Sequence, residues 1–196
     1  MKRIVMTLWI SMFLFSGLLH AQDTLNEMTG RDYRRYKKKE RKEANAYELT
    51  ENRKKILRLV EDTTFVLEAD KFIGLRGQAE PISPLTNYFA VDGENVVIQF
   101  SFDYLAGKND LGGLTNTGTI VSYLIQSNNP RKPILVLGRL KPIPGGAFIP
   151  FELAIQDNGS ARFSLMNKSG RQLTLTGRVI SPDETAVYKG TRLFRK

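Results

Sequence analysis

The feature that most constrains the fold is a change of hydrophobic period near Thr63. Beyond this residue, apolar and polar side chains alternate in about eight short runs, the period-two pattern of strands that bury one face. In the clearest run one face carries only apolar or aromatic side chains: Val96, Ile98, Phe100, Phe102 and Tyr104. Strands of a parallel sheet are usually buried on both faces, so the alternation indicates antiparallel pairing.

Short turn signals separate several of these runs. Asp92-Gly93, Asp157-Asn158-Gly159 and Ser169-Gly170 are typical of the tight connections that join antiparallel neighbours. We therefore predict a mainly β protein: an antiparallel sandwich or a barrel-like rolled sheet of about eight strands, with an N-terminal basic helix. The alternation fits a sandwich and a barrel equally well.

The residues before the β domain predict a helix. Thr29 followed by Asp32 resembles a capping box, and no Pro or Gly occurs from Arg31 to Ile73. Towards the end of this stretch a compact apolar cluster could dock on a sheet: Ile56, Leu57, Leu59 and Val60. We accordingly divide the chain into a basic helical lead segment, residues 22–61, and a β domain, residues 62–196.

Eight basic residues crowd into the first part of this helix. They are Arg31, Arg34, Arg35, Lys37, Lys38, Lys39, Arg41 and Lys42. A cluster of this kind could contact an anionic membrane surface through lipid phosphates, or it could be only a solvated helix face.

Residues 1–21 read as an export signal. Lys2 and Arg3 precede an apolar run of the length found in secretory signal peptides. This pattern predicts a signal peptide cleaved near Ala21 and a periplasmic or secreted protein. An exported protein does not meet nucleic acid in the cytoplasm, which argues against that partner for the basic cluster.

Cleavage of this segment would remove side chains that many catalytic and metal sites require. The chain has no cysteine, and its single histidine (His20) and tryptophan (Trp9) lie within residues 1–21. A chain without imidazole or thiol has no Ser-His-Asp triad, no Cys-His pair and almost no route to a zinc site. We therefore predict a non-enzymatic protein without a cofactor or a metal. The formal net charge of +9 favours acidic partners or anionic surfaces.

A Gly- and Asn-rich segment, residues 106–118, is predicted as a long loop between two apolar strands, the kind of loop that often binds ligands. The candidate ligand-binding residues in this loop and just before it are Asp103, Tyr104, Lys108, Asn109 and Asp110. As an alternative, Asp103 and Asp110 could form the carboxylate pair of a glycan hydrolase. Arg139 is a further candidate because it interrupts an apolar strand; it points either inward to an anion or outward to solvent.

The order of elements resembles a known family. A basic helical lead, then FVLEADKF, ENVVIQFSFDYLAG with NDLGGL, and finally FELAIQDNGSARFSLMNKSGRQLTLTGRV resemble the domain of unknown function 4251 family, over about residues 55–180. The resemblance implies an exported β-rich domain of Bacteroides-like bacteria. It implies no catalytic residues, substrate or cofactor.

Three functional hypotheses follow. The first is an exported, non-enzymatic β domain that binds an envelope ligand or protein. The second is the carboxylate-dependent hydrolase of envelope glycan. The third is a structural adaptor whose basic helix rests on an anionic membrane while the β domain meets a protein.

Overall fold

A computed structural model describes residues 29–74, 77–101, 113–166 and 172–187. The predicted signal segment and the five candidate residues between 103 and 110 lie outside the described residues. The chain divides into two compact units, Met1–Glu48 and Leu49–Lys196. The last turns of the helix therefore belong to the same unit as the strands.

In the described part of the chain one helix, α1, spans Gly30–Glu61. Thr29 caps it: its hydroxyl oxygen accepts a hydrogen bond from the Asp32 backbone N–H at 3.4 Å, and the same hydroxyl donates to the Asp32 carboxylate at 2.5 Å. The capping pair read from the sequence is thus present. Near its end the helix buries Ile56 and Val60.

Nine strands follow the helix among the residues that the structure describes. They are β1 Thr64–Ile73, β2 Ala79–Pro81, β3 Tyr88–Asp92, β4 Asn95–Ser101, β5 Gly113–Gln126, β6 Ile134–Ile143, β7 Ile149–Ile155, β8 Ser160–Met166 and β9 Gln172–Ile180. All pairings are antiparallel, from β1 to β3 and then in sequence order to β9, which pairs back with β1. The result is a closed eight-stranded barrel, and β2 is an extra strand attached to the end of β1. Of the two predicted architectures, the barrel is the one formed.

Gly177 allows the barrel to close. It pairs with Ala69 where β1 and β9 join, next to a register shift in β1. A side chain at this position would place its Cβ only 2.8 Å from the Ala69 Cα atom. The missing side chain therefore lets the first and last strands approach each other closely.

The barrel interior is a packed core. One face of each of the eight barrel strands contributes aliphatic and aromatic side chains, and Ile56 and Val60 of α1 join the same cluster. Phe89 and Phe163 stack at its centre with ring centroids 4.4 Å apart, and Phe151 lies 5.6 Å from Phe89. Eight strands enclose a space that side chains can fill, as these rings do here.

The outer face of β1 and β3 is covered by the segment that follows β9. Val187 packs against Val66, Tyr88 and Ala90, all of which are buried. The Glu68 carboxylate accepts hydrogen bonds from the hydroxyl of Thr185 at 2.7 Å and from the next backbone N–H at 3.2 Å. An apolar patch outside the barrel is thus sealed by the chain itself.

Two local predictions need correction. Residues 113–118, predicted as part of the 106–118 loop, form the first part of β5, where they are paired with β4 from Ser101↔Gly113 to Val96↔Gly118. The sheet partner supplies the hydrogen bonds that offset the weak strand propensity of Gly and Asn. The short strand β2 was not predicted, since three residues that include a proline carry no periodic signal.

Candidate functional site

The predicted basic cluster lies on a solvent-exposed part of α1. Every side chain from residue 29 to residue 51 is exposed, including Tyr33, Tyr36 and Tyr47 at 45, 47 and 71%. A helix that buries nothing over about six turns is stabilised by its own hydrogen bonds, its cap and its charge pairs.

The charges of this segment are segregated around the helix. At about 100° per residue, six of the eight cations fall within an arc of roughly 120°. We call this set the basic face: Arg31, Arg34, Arg35, Lys38, Arg41 and Lys42. The three tyrosines lie on the opposite side, together with Asp32, Glu40 and Glu43.

The two remaining cations are the ones that form ion pairs. Lys37 lies 2.9 Å from the Glu40 carboxylate and Lys39 lies 3.8 Å from Glu43, both pairs being exposed. The hydrogen bond to Glu40 raises the pKa of Lys37 above its ordinary value. Among the described residues no carboxylate pairs with a member of the basic face. Its charge is therefore available to an external anion.

A second polar site lies where α1 meets the barrel. The Arg53 guanidinium, whose side chain is 13% exposed, donates to the Asp157 carboxylate at 2.6 Å and to the Lys132 carbonyl at 3.0 Å. It also approaches the carbonyls of Ser127 and Asn129, each at 3.4 Å. One side chain thus holds the β5–β6 and β7–β8 connections against the helix.

A cleft of about 580 Å³ opens beside these connections. Residues 126–129, which run Gln-Ser-Asn-Asn, and Lys132 form its polar wall, and Pro133, Leu135 and Ala154 form its apolar floor. Leu135 and Ala154 alternate with core residues of β6 and β7, so the cleft lies on the outside of the barrel. Its volume is within the range of ligand sites.

Arg139 lies on the outside of β6. Its side chain is exposed, between the buried positions Gly138 and Leu140, and its guanidinium carbon lies 5.5 Å from the centroid of the Phe148 ring. This is a cation–π arrangement at the surface, not an inward charge awaiting an anion.

The other ligand-binding candidates, from Asp103 to Asp110, lie outside the described residues. The separation of the Asp103 and Asp110 carboxylates, on which the hydrolase hypothesis depends, is therefore not defined. Sequence reasoning missed Arg53 and the cleft. For the cleft, the available signal was the polar run from Gln126 to Pro130 between two strands. For Arg53 there was none, because the local sequence of a helix does not indicate which distant residues an arginine will contact.

The described part of the chain holds no group of three or more His, Cys, Asp or Glu side chains placed to bind a metal ion. Nor does a helix in that part have the length and apolar character needed to span a bilayer.

Fold and surface together define a class: a small antiparallel barrel with a filled core, which presents an exposed basic helix and an external cleft. The chain belongs to the family described as Domain of unknown function (DUF4251), whose model matches residues 47–179. It is similar to the crystal structure of a DUF4251 family protein from Bacteroides eggerthii. The TM-score is 0.58 at 21% identity, over 71% of this chain and 94% of that one. No curated protein matches.

Proposed function

We propose that the protein is exported and acts in the cell envelope as a non-enzymatic adaptor whose basic face contacts an anionic membrane surface. The observation that carries the proposal is the segregation of six exposed cations on one side of α1, none with a carboxylate partner among the described residues. The signal-like residues 1–21 and the filled barrel core support export and a role without catalysis.

The basic face suits lipid headgroups better than a bilayer interior. Its opposite side carries tyrosines, carboxylates and one alanine, so the helix has no continuous apolar face to insert between acyl chains. Binding is then electrostatic and superficial. Each Lys or Arg near an anionic leaflet contributes about 1 kcal/mol, and the contribution falls within a Debye length.

Vesicle cosedimentation tests this proposal with the chain from Gln22 onward. We expect binding to phosphatidylglycerol vesicles, none to phosphatidylcholine vesicles, and release as salt rises from about 0.05 to 0.5 M. The triple variant Arg34→Gln, Lys38→Gln, Arg41→Gln should bind roughly 100-fold more weakly, since three contacts of about 1 kcal/mol are lost.

The matched control removes three exposed cations elsewhere: Arg58→Gln, Lys71→Gln and Arg178→Gln. Both triple variants lower the net charge equally, so a nonspecific charge effect would weaken them alike and would contradict the proposal. Export is tested separately by cell fractionation. An envelope form that begins near Gln22 is expected, and a cytosolic form that retains residues 1–21 would rule out export.

A further inference from the structure

The outer wall of the barrel carries a partly exposed apolar patch beside the cleft. We define the leucine patch as Leu124, Leu135, Leu137 and Ala154. Leu124 pairs with Leu137 across β5 and β6, and Leu135 pairs with Ala154 across β6 and β7. Direct cross-strand partners on one face have side chains in contact range, so the four form one continuous surface.

The leucine patch differs from the apolar outer face of β1 and β3 in being open to solvent. The apolar outer face of β1 and β3 is sealed by Val187, whereas Leu124 remains 54% exposed. The outside of an antiparallel barrel normally carries polar side chains where it meets water. An exposed leucine flanked by two half-buried leucines next to a cleft is therefore a mark of an interaction surface.

The rim of the patch is positively charged. Arg162 pairs with Ala154 across β7 and β8, Arg139 follows Leu137 on the same face of β6, and Lys132 lines the cleft. All three are exposed, and no carboxylate of the described residues forms an ion pair with them. Glu152, opposite Leu137, is the one acidic side chain that the strand register places next to the patch.

We infer that the leucine patch and the adjoining cleft form a docking surface for an extended, acidic segment of a partner protein. An apolar side chain of that segment enters the cleft over Leu135 and Ala154, and flanking carboxylates meet the rim cations. The amides and hydroxyl of residues 126–129 can bond to peptide N–H and C=O groups. Anchors in a pocket with a polar rim are the usual arrangement of interface hot spots.

Two other occupants fit less well. A second copy of the same surface would oppose cations to cations around the two-fold axis, which disfavours an isologous dimer. A flat bilayer would leave the concave, amide-lined cleft unused. The inference adds a protein-binding face to the proposed function and does not depend on it.

The test uses a phage-displayed library of random peptides of about ten residues, roughly 33 Å when extended, selected against the folded chain from Gln22 onward. We expect enriched peptides to carry Asp or Glu on both sides of an apolar residue. Amide shifts in NMR spectra should change for residues 124–139 and 152–154 when a synthetic copy is added. Enrichment of basic or uncharged peptides, or shifts elsewhere, would overturn the inference.

Matched variants locate the contact. Leu124→Ser should weaken binding of the selected peptide at least tenfold, whereas Leu85→Ser, at a residue of similar exposure (50%), should not. The pair Arg139→Gln, Arg162→Gln should weaken it more than Arg58→Gln, Lys71→Gln does. If each control variant lost as much peptide binding as the patch or rim variant it is paired with, the proposed surface would be refuted.

The same proteins separate this inference from the membrane proposal. The Arg34, Lys38, Arg41 variant should bind the peptide normally, and Leu124→Ser should bind phosphatidylglycerol vesicles normally. If no peptide binds and Leu124→Ser instead loses vesicle binding, the patch is a membrane surface and the inference of a protein partner is wrong.

Discussion

Two tyrosine hydroxyls of the barrel, one on a buried residue (Tyr88) and one on a half-buried residue (Tyr123), form hydrogen bonds between different elements of the fold. The Tyr123 hydroxyl, on β5, donates to the Val60 carbonyl near the end of α1 at 2.8 Å. The Tyr88 hydroxyl, on β3, donates to the side-chain oxygen of Gln99 at 3.3 Å. Burial raises the pKa of both phenols above the ordinary value of 10.0, because the phenolate would lose its hydration.

The raised pKa values predict alkaline sensitivity. Above about pH 10 tyrosines of the unfolded chain lose their protons while Tyr123 in the folded state keeps its own. The folded state then binds more protons, so the free energy of unfolding falls as pH rises further. In Tyr123→Phe, urea titrations should show a smaller fall in the free energy of unfolding between about pH 9 and 11. At pH 8 the same variant should be less stable by about 1 kcal/mol, because the hydrogen bond of Tyr123 is lost.

Tyr47→Phe is the matched control, since Tyr47 is 71% exposed. It should keep both the wild-type stability at pH 8 and the wild-type slope above pH 10. If the free energy of unfolding fell equally steeply with pH in wild type and in Tyr123→Phe, Tyr123 would not contribute to the loss of stability at alkaline pH.

The alternation of apolar and polar residues was the only basis for predicting which side chains of a strand face the core. Val96, Ile98 and Phe100 were predicted on the core face of β4, and all three are buried in the barrel. Alternation also placed Gln99 on the other face but did not predict that it is 3% exposed. Its burial depends on hydrogen bonds from Tyr88 and Thr115, which come from neighbouring strands.

The last turns of α1 act as one element with two barrel connections. Asn52 donates to the Asp157 carbonyl at 2.5 Å, and Arg53 binds the carboxylate of the same residue at 2.6 Å. The position of this helix segment thus determines the position of the polar wall of the cleft.

Arg53→Ala tests this coupling. It removes charge-assisted hydrogen bonds in a partly buried setting, so we expect a loss of about 2 kcal/mol in the free energy of unfolding from urea titrations. Hydrogen exchange should also become faster in residues 127–133. Lys37→Ala, which breaks an exposed pair within the helix, should change neither quantity measurably. Unchanged exchange in Arg53→Ala would mean that the connections hold their shape without the arginine.

Element boundaries were predicted best where periodicity was strongest. The run that includes Val96, Ile98 and Phe100 forms β4, and the turn signal Asp157-Asn158-Gly159 lies between β7 and β8 as predicted. The prediction failed at residues 113–118, where Gly, Asn and Thr become a strand only because β4 lies alongside. The local sequence shows the periodicity of a strand but does not show which other strand it will pair with.

At the scale of the whole molecule, the basic segment and the barrel are energetically separable. Residues 29–51 bury no side chain, whereas Ile56 and Val60 are 2 and 0% exposed. The helix therefore contributes to the barrel core through its last turns alone.

Two truncations test the separation. A chain that begins at Leu49 should keep the urea midpoint of the longer protein while losing its vesicle binding. A chain that begins at Asp62 loses the burial of Ile56 and Val60, about 3–6 kcal/mol in all, and should unfold at much lower urea. A large drop in the midpoint for the first truncation would contradict the separation.

The sequence by itself determined that this chain forms antiparallel strands with one apolar face, a capped helix and a cluster of exposed cations. These properties depend on neighbours within a few residues, where periodicity and capping chemistry act. Tertiary structure alone decided that the sheet closes into a barrel, that Arg53 joins two connections, and that one outer apolar patch is covered while another stays open. Each of these depends on contacts between residues roughly a hundred positions apart, such as Ala69 with Gly177, which no local pattern encodes.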